Sequence, residues 1–522
     1  GCTDISEVLS ITMPPAGRKE PFYKLWSRGL EPWDGPALVA FTDGMTIGAR
    51  LDRNGFRPCR WVATPNRFYL SSEAGTFRVD EAEVVRKGSL GAGRGVKVNV
   101  EDGRINFLDA SMYSRNRGAT FDARLIPCVH PSGMSPRKPE EWSPERHQER
   151  LALFMYAKED VDDTLAPMAV DGKEPIGSMG DTAPPAILSS QPRSLFDYFH
   201  QNFAQVTNPP LDYIREEMVT DLTTYLGRKP NVFKPTALIP PPIAIEVESP
   251  VLSLGQFESI RARESSAMAH DDLRSAVLDI SYDRSHGAGG LQLALDRIER
   301  QAIERVSKGV SILVLSDEKA SFERLAVPSL LALRVVVNRL NQEGLKLEAS
   351  IVMHSADVRS THQLAALIGF GASAVCPWLA METVRRESNR AWKDLDPDVR
   401  EANLKKALEQ GLLKIMAKMG ISVSRSYQSS KLFTAIGLGK KLVAAYFPGL
   451  VAHLGGLEIE DIASRAEEHA QFAEERHAEG GRFRSYTFKE HPRGKEGERH
   501  GMTAARSKLI HKLVRETGMG LD

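Results

Sequence analysis

Short apolar runs broken by turn residues fill the first 110 positions of the chain. Leu38 to Phe41 and Met45 to Leu51 flank Asp43-Gly44, and a second turn signal, Asn54-Gly55, follows at once. Apolar runs that meet at such dipeptides predict hairpins. Further strands are predicted at 67–72 and 95–100, with another hairpin turn at Asp102-Gly103. The glycine-rich stretch 87–95 reads as a turn between strands. This region therefore reads as an antiparallel sheet belonging to a larger domain.

The period then changes. Residues 111–140 read as linker, and a helix starts where Ser143 can cap and Pro144 can take the first helical position. Asp171-Gly172 marks a turn and the prolines at 240–242 a boundary. From 246 to 456, buried-strand patterns at 275–280, 311–315, 348–353, 372–376 and 421–424 alternate with helical ones at 290–306, 361–368 and 401–419. Repeated strand–helix units predict a parallel sheet. A barrel or partial barrel suits this order better than a dinucleotide-binding fold. The tail from 466 is charged and Gly-rich, and closes in a helical stretch at 503–517. The fold class is thus α/β: an antiparallel N-terminal sheet, then a central α/β domain with parallel strands, partial-barrel-like. The expected divisions are 1–110, 111–245, 246–466 and 467–522.

Composition narrows the function. Lys plus Arg and Asp plus Glu each number 68 in 522 residues, so a zero net charge offers no electrostatic footprint for nucleic acid or an anionic membrane. No apolar run reaches the ~18 residues of a membrane helix, and the start lacks a secretory pattern, so the expected location is cytoplasmic. Four dispersed cysteines (Cys2, Cys59, Cys128, Cys376) form no CxxC pair. The stretch 285–298 has Gly287 and Gly289 but Gln292 at the sixth position of a dinucleotide fingerprint, so it reads as a packed turn into a helix. His354, Asp357 and His362 cluster after a strand, but capping and surface roles explain them more simply than a metal. Gly1 precedes Cys2, which removes the free α-amine an N-terminal cysteine nucleophile needs. No catalytic residue and no metal ligand is assigned.

Longer stretches carry a resemblance. LDRNGFRP (51–58) resembles the turn shared by class II, N-terminal-nucleophile glutamine amidotransferases. The stretches 174–189, 197–217, 354–383 and 411–439 closely resemble, in family order, the central domain of the glutamate synthase large chain. That family converts glutamine and 2-oxoglutarate to two glutamates with reduced FMN and a 3Fe-4S cluster. Ammonia released by an N-terminal cysteine travels internally to an FMN barrel. The resemblance implies that this chain holds the end of the amidotransferase domain, the central domain and the lead into the synthase domain, with nucleophile, barrel and cluster cysteines elsewhere. Such a chain is expected to bind no cofactor by itself. Its implied partners are the remaining synthase domains and an electron-donor subunit or ferredoxin. The competing expectation is a non-catalytic scaffold that docks separate amidotransferase and FMN subunits.

Some residues carry over from the resemblance. Asp4 matches the family aspartate that holds the glutamine α-ammonium; capping the following helix is the alternative. Met179 matches a methionine that reaches towards FMN and 2-oxoglutarate. Gln205, Thr207, Asn208 and Arg215 lie in a loop that faces the synthase domain in the family, with plain structural hydrogen bonding as the alternative.

Overall fold

Asp43 shows why the chain turns where the pattern says it must. Its carboxylate accepts from the N–H of Met45 (3.0 Å) and Thr46 (2.7 Å), while Gly44 adopts φ 90°, open to glycine at little cost. The turn joins β1 (Leu38–Thr42) to β2 (Thr46–Leu51) in antiparallel register, Leu38 opposite Leu51. This computed structural model describes residues 4–14, 21–33, 35–109, 128–129, 143–176, 183–189, 191–203, 220–231, 242–264, 271–387, 389, 391–478, 498 and 500–517.

Two antiparallel sheets make the N-terminal part. Strands β3 (Arg60–Ala63), β4 (Phe68–Ser71) and β5 (Arg86–Ser89) form one, in order β4-β3-β5. Strands β6 (Gly95–Asn99) and β7 (Ile105–Leu108) extend the first sheet to β1-β2-β6-β7. The Trp61 ring joins the two, 4.9 Å from Phe107 and 5.9 Å from Phe68. The expected turn at 87–95 is corrected in its first half. Lys87 to Ser89 lie in β5, and Gly88 is there because a Cβ would meet the indole of Trp61 at 2.8 Å.

The central part is built on parallel strands. β8 (Cys128–Val129) pairs in parallel with β11 (Ala244–Val247), which pairs antiparallel with β10 (Thr224–Leu226). β9 (Phe199–Gln201) comes between in sequence. The main sheet contains β12 (Ser275–Asp279), β14 (Ile312–Ser316), β16 (Ser350–His354) and β17 (Ala374–Cys376), neighbours in that order and all parallel. Helices Ala288–Ser307, Ser329–Gln342 and Thr361–Gly369 make the crossovers. Strand order following sequence order is the progression of a barrel wall, whereas a doubly wound sheet reverses. A small antiparallel pair, β13 (Ser281–Asp283) with β15 (Arg324–Ala326), flanks the sheet.

The expected strand at 421–424 is not formed. Val423 makes one isolated bridge to Asp221, and Ser424–Tyr427 turns into a helix. The last strands among the described residues are β18 (Phe433–Leu438), next to β9, and β19 (Val451–Leu457), parallel to β18. Glycines masked that signal: a Cβ on Gly437 would meet Ile187 at 2.9 Å, and one on Gly456 the carbonyl of Gly437 at 2.1 Å. Of the glycines at 287–290, Gly290 is structural. A Cβ on Gly290 would meet the Tyr282 ring at 2.8 Å, so close packing of helix on β13 accounts for it.

One continuous core runs from Leu151 to Ala473. It includes the helix Pro144–Leu153, with Ser143 capping Arg146 N–H at 3.3 Å, and the long helix Ile459–Ala478. No helix among the described residues is long and apolar enough to cross a membrane. The two parts are tied by Lys24 to Glu246 (3.1 Å) and by Arg425, which donates to the Arg28 carbonyl at 2.6 Å.

Gly411, inside the helix Pro397–Lys418, tests this packing. Alanine there gains helix propensity, up to ~1 kcal/mol, but its Cβ would sit 2.2 Å from Thr361 Oγ1. Gly411→Ala is expected to lower stability by about 1–3 kcal/mol in urea unfolding. Adding Thr361→Ala should recover most of the loss. A stabilised single variant would contradict this contact.

Candidate functional site at the carboxyl edge of the parallel sheet

Open parallel sheets place their working residues just beyond the carboxyl ends of the strands. Here those ends carry Ser316-Asp317, His354 to Arg359 and Trp378. Ser316 Oγ and His354 Nδ1 are 2.8 Å apart. The His354 ring stacks flat on Phe257, centroids 3.8 Å apart, and burial pushes its pKa well below the usual histidine range. It is a neutral core imidazole. Asp317 is fully buried. Its carboxyl accepts from Ala356 N–H at 2.9 and 3.0 Å and from Trp378 Nε1–H at 2.7 Å. Burial, helped by the charge of Asp357, pushes its pKa up to about 8.

The chain before the sheet closes over this edge. Arg359 is 8% exposed, so its charge must be met internally. It lies 3.3 Å from the Asp160 carboxylate and 4.5 Å over the Tyr156 ring. It also donates to the carbonyls of Phe154 and Met155, each at 3.2 Å. Those bonds hold a turn in which Met155 has φ 56°, a left-handed conformation that side chains rarely adopt. Tyr156 donates its hydroxyl to the Ala356 carbonyl at 2.9 Å. A π-helical turn, Asp160–Leu165, follows.

His354, Asp357 and His362 do not converge. Asp357 accepts from Ser329 Oγ (2.7 Å) and N–H (3.3 Å) at the start of a crossover helix, and His362 Nε2 meets the Phe196 carbonyl at 3.1 Å. Among the described residues no three His, Cys, Asp or Glu side chains gather as a metal site.

Asp4 is the one residue carried over by resemblance that lies among the described residues. It caps the helix Ile5–Thr12, accepting from Ser6 N–H at 2.9 Å and Ser6 Oγ–H at 2.6 Å, and pairs with Lys97 Nζ at 2.6 Å. Partial burial works to raise its pKa, but Lys97 and Ser6 together hold it below the ordinary carboxylate value. The carboxylate is thus ionised and set for a cation, and Lys97 is the cation it has. Met179, Gln205, Thr207, Asn208 and Arg215 lie outside the described residues.

The cofactors of the resembled family do not fit what is described here. Cys59 and Cys376 are both buried and free, and burial raises both thiol pKa values, the reverse of what cluster thiolates require. Of the glycines at 287–290, Gly290 is taken up by packing against Tyr282, while Gly287 and Gly289 have open space around them.

Residues 149–439 match the family described as glutamate synthase central domain, and residues 10–115 match the class II glutamine amidotransferases. The chain belongs to the glutamate synthase central-domain family. Among relatives, the glutamate synthase [NADPH] large chain of Bacillus subtilis is 36% identical over 86% of this chain and 29% of its own length. The chloroplastic ferredoxin-dependent glutamate synthase of Oryza sativa is 37% identical over 98% of this chain and 32% of its own. The chain therefore spans about a third of the length of these relatives. A flavocytochrome b2 structure aligns with 56% of the chain and 92% of its own at 12% identity, with a TM-score of only 0.28.

Asp317 and Arg359 were not singled out from the sequence. The signal existed: Asp317 directly follows an unbroken apolar strand but one serine, and Arg359 lies inside the matched stretch 354–383. An unfolded Asp317 would titrate near 3.8 and the folded one near 8. Between those values the unfolded chain releases a proton that the folded one keeps, so stability falls as pH rises. Asp317→Asn should remove that slope. Urea midpoints at pH 5 and pH 8 are expected to shift in favour of the variant at the higher pH; an unchanged difference would show that Asp317 titrates normally.

Proposed function

We propose that this chain supplies the central domain, with the adjoining stretch of amidotransferase domain, of a glutamate synthase large chain, which forms two glutamates from glutamine, 2-oxoglutarate and reductant. The observation that supports it most is the match of two successive families in the order found in the relatives, over 10–115 and 149–439. The geometry supports the same role. The groups at the sheet edge are spent on one another, which gives a rigid wall and leaves Asp317 and Arg359 structural. A scaffold that docks separately encoded subunits is less favoured, because the relatives carry the match within single long chains.

In this reading Asp4 takes the α-ammonium of glutamine in exchange for Lys97. Met179 faces the FMN and 2-oxoglutarate site, and Gln205, Thr207, Asn208 and Arg215 face the synthase domain. The nucleophile, the FMN barrel and the 3Fe-4S ligands come from other parts of the enzyme. An electron-donor subunit or ferredoxin supplies reductant. Cytoplasmic residence belongs to the same proposal, although relatives from plants are chloroplastic by name.

The test is glutamate formation by the 522-residue chain given glutamine, 2-oxoglutarate and a reduced donor. No activity and no stoichiometric FMN are expected from the chain alone. Activity should return when chains carrying the amidotransferase nucleophile and the synthase domain are added. A yellow chain that makes glutamate unaided would overturn the division of labour, and complementing chains that neither bind nor restore activity would overturn the assignment.

A further inference from the structure

Beside the Arg359 clasp lies a cavity of about 110 Å³. That volume far exceeds what one water needs. Its walls come from the left-handed turn at Met155, the segment Arg193 to Tyr198, Leu325 and Ala326 of β15 with Pro328 after it, Asp357 beyond β16, and the helix Ile459–Ala478. It thus opens past the carboxyl end of β16, on the side of the sheet where α/β folds hold ligands. Most of the surface is apolar, supplied by Leu153, Leu195, Leu325 and Ile462 among others.

Besides Ser194 and the Tyr198 hydroxyl, two arginines, one aspartate and one histidine interrupt it. His469 is neutral, since burial lowers its pKa to about 4, and its Nε2 is engaged by the Ala152 carbonyl at 3.1 Å. Arg193 lies 3.3 Å from Glu498 and donates to the Pro184 carbonyl at 2.9 Å. Two charged groups of opposite sign, Arg465 and Asp357, line the space, and Asp357 also feels the charge of Arg359. Arg465 is oriented by one bond, from Nη1 to the Tyr198 hydroxyl at 3.3 Å. Asp357 accepts from Ser329 through Oδ2, and neither of those hydrogen bonds uses Oδ1.

An apolar chamber with one guanidinium and one carboxylate on its walls matches a zwitterion. We propose that this cavity binds a small neutral amino acid, its carboxylate on Arg465, its ammonium on Asp357 and its aliphatic side chain against Leu153, Leu195, Leu325 and Ile462. A fixed guanidinium is the preferred partner of a carboxylate, and charge-assisted bonds at both ends give selectivity over a plain acid. The inference rests on the cavity alone and is independent of the function proposed above.

Titration of the 522-residue chain with L-alanine, followed by saturation-transfer NMR and calorimetry, tests it. L-Alanine is expected to bind, and propionate, of similar size without the ammonium, at least tenfold more weakly. Arg465→Gln should weaken L-alanine at least tenfold with an unchanged urea midpoint. Asp4→Asn, at the distant amidotransferase end, should leave binding unaltered. Equal binding of propionate, binding that survives Arg465→Gln, loss of binding on Asp4→Asn, or no binding at all would each overturn the proposal.

Discussion

The central part of this protein depends on what is done with one buried cation. Arg359 sits where the parallel sheet ends and has almost no access to water. A guanidinium in that position is tolerable only when its charge and its donors are matched. The direct matches come from the chain that precedes the sheet, namely the Asp160 carboxylate, the Tyr156 ring and the carbonyls of Phe154 and Met155, with the charge of Asp357 acting from the sheet side. The requirement explains several local oddities together. Met155 is held in a left-handed conformation so that its carbonyl can face the guanidinium, and the chain then leaves through a π-helical turn. Removing either side would strand the other, so the helix Pro144–Leu153 and the strand β16 fold as partners.

The neighbouring acid has a complementary effect. Asp317 is held by two donors at Ala356 and Trp378, so the ends of β14, β16 and β17 are fastened to one another. With Tyr156 bonded to the Ala356 carbonyl, the same peptide is gripped from both sides. The outcome is a stiff edge with little free chemistry, which suits a domain that separates and positions sites on its neighbours. Space remains to one side, in the cavity lined by the helix Ile459–Ala478.

Much of this was legible in the sequence, for identifiable reasons. Hairpin turns were readable because Asp43 and Gly44 act locally, and the helix at Ser143-Pro144 because capping is local. The parallel sheet was readable because its strands are buried on both faces and therefore continuously apolar. The strand expected at 421–424 failed because a short apolar pattern does not say whether a partner strand is present; Val423 finds a single bridge. β18 and β19 were hidden by glycines whose purpose, close approach to Ile187 and to one another, exists only in the fold. The Arg359 clasp joins residues about 200 positions apart, a distance no local pattern spans. Asp4 shows the remaining case, since one motif supports both a cap and a ligand contact, and the structure shows the cap with Lys97 as its counterion.

The central claim is that the Arg359 clasp makes the helical segment 143–171 and the parallel strands one cooperative unit. Native-state hydrogen exchange, read segment by segment at increasing denaturant, tests it most directly. The account predicts that amides in 143–171 and in β14, β16 and β17 open together, with one free energy and one denaturant dependence. Exchange of 143–171 at a markedly lower free energy, with the strands still protected, would contradict it.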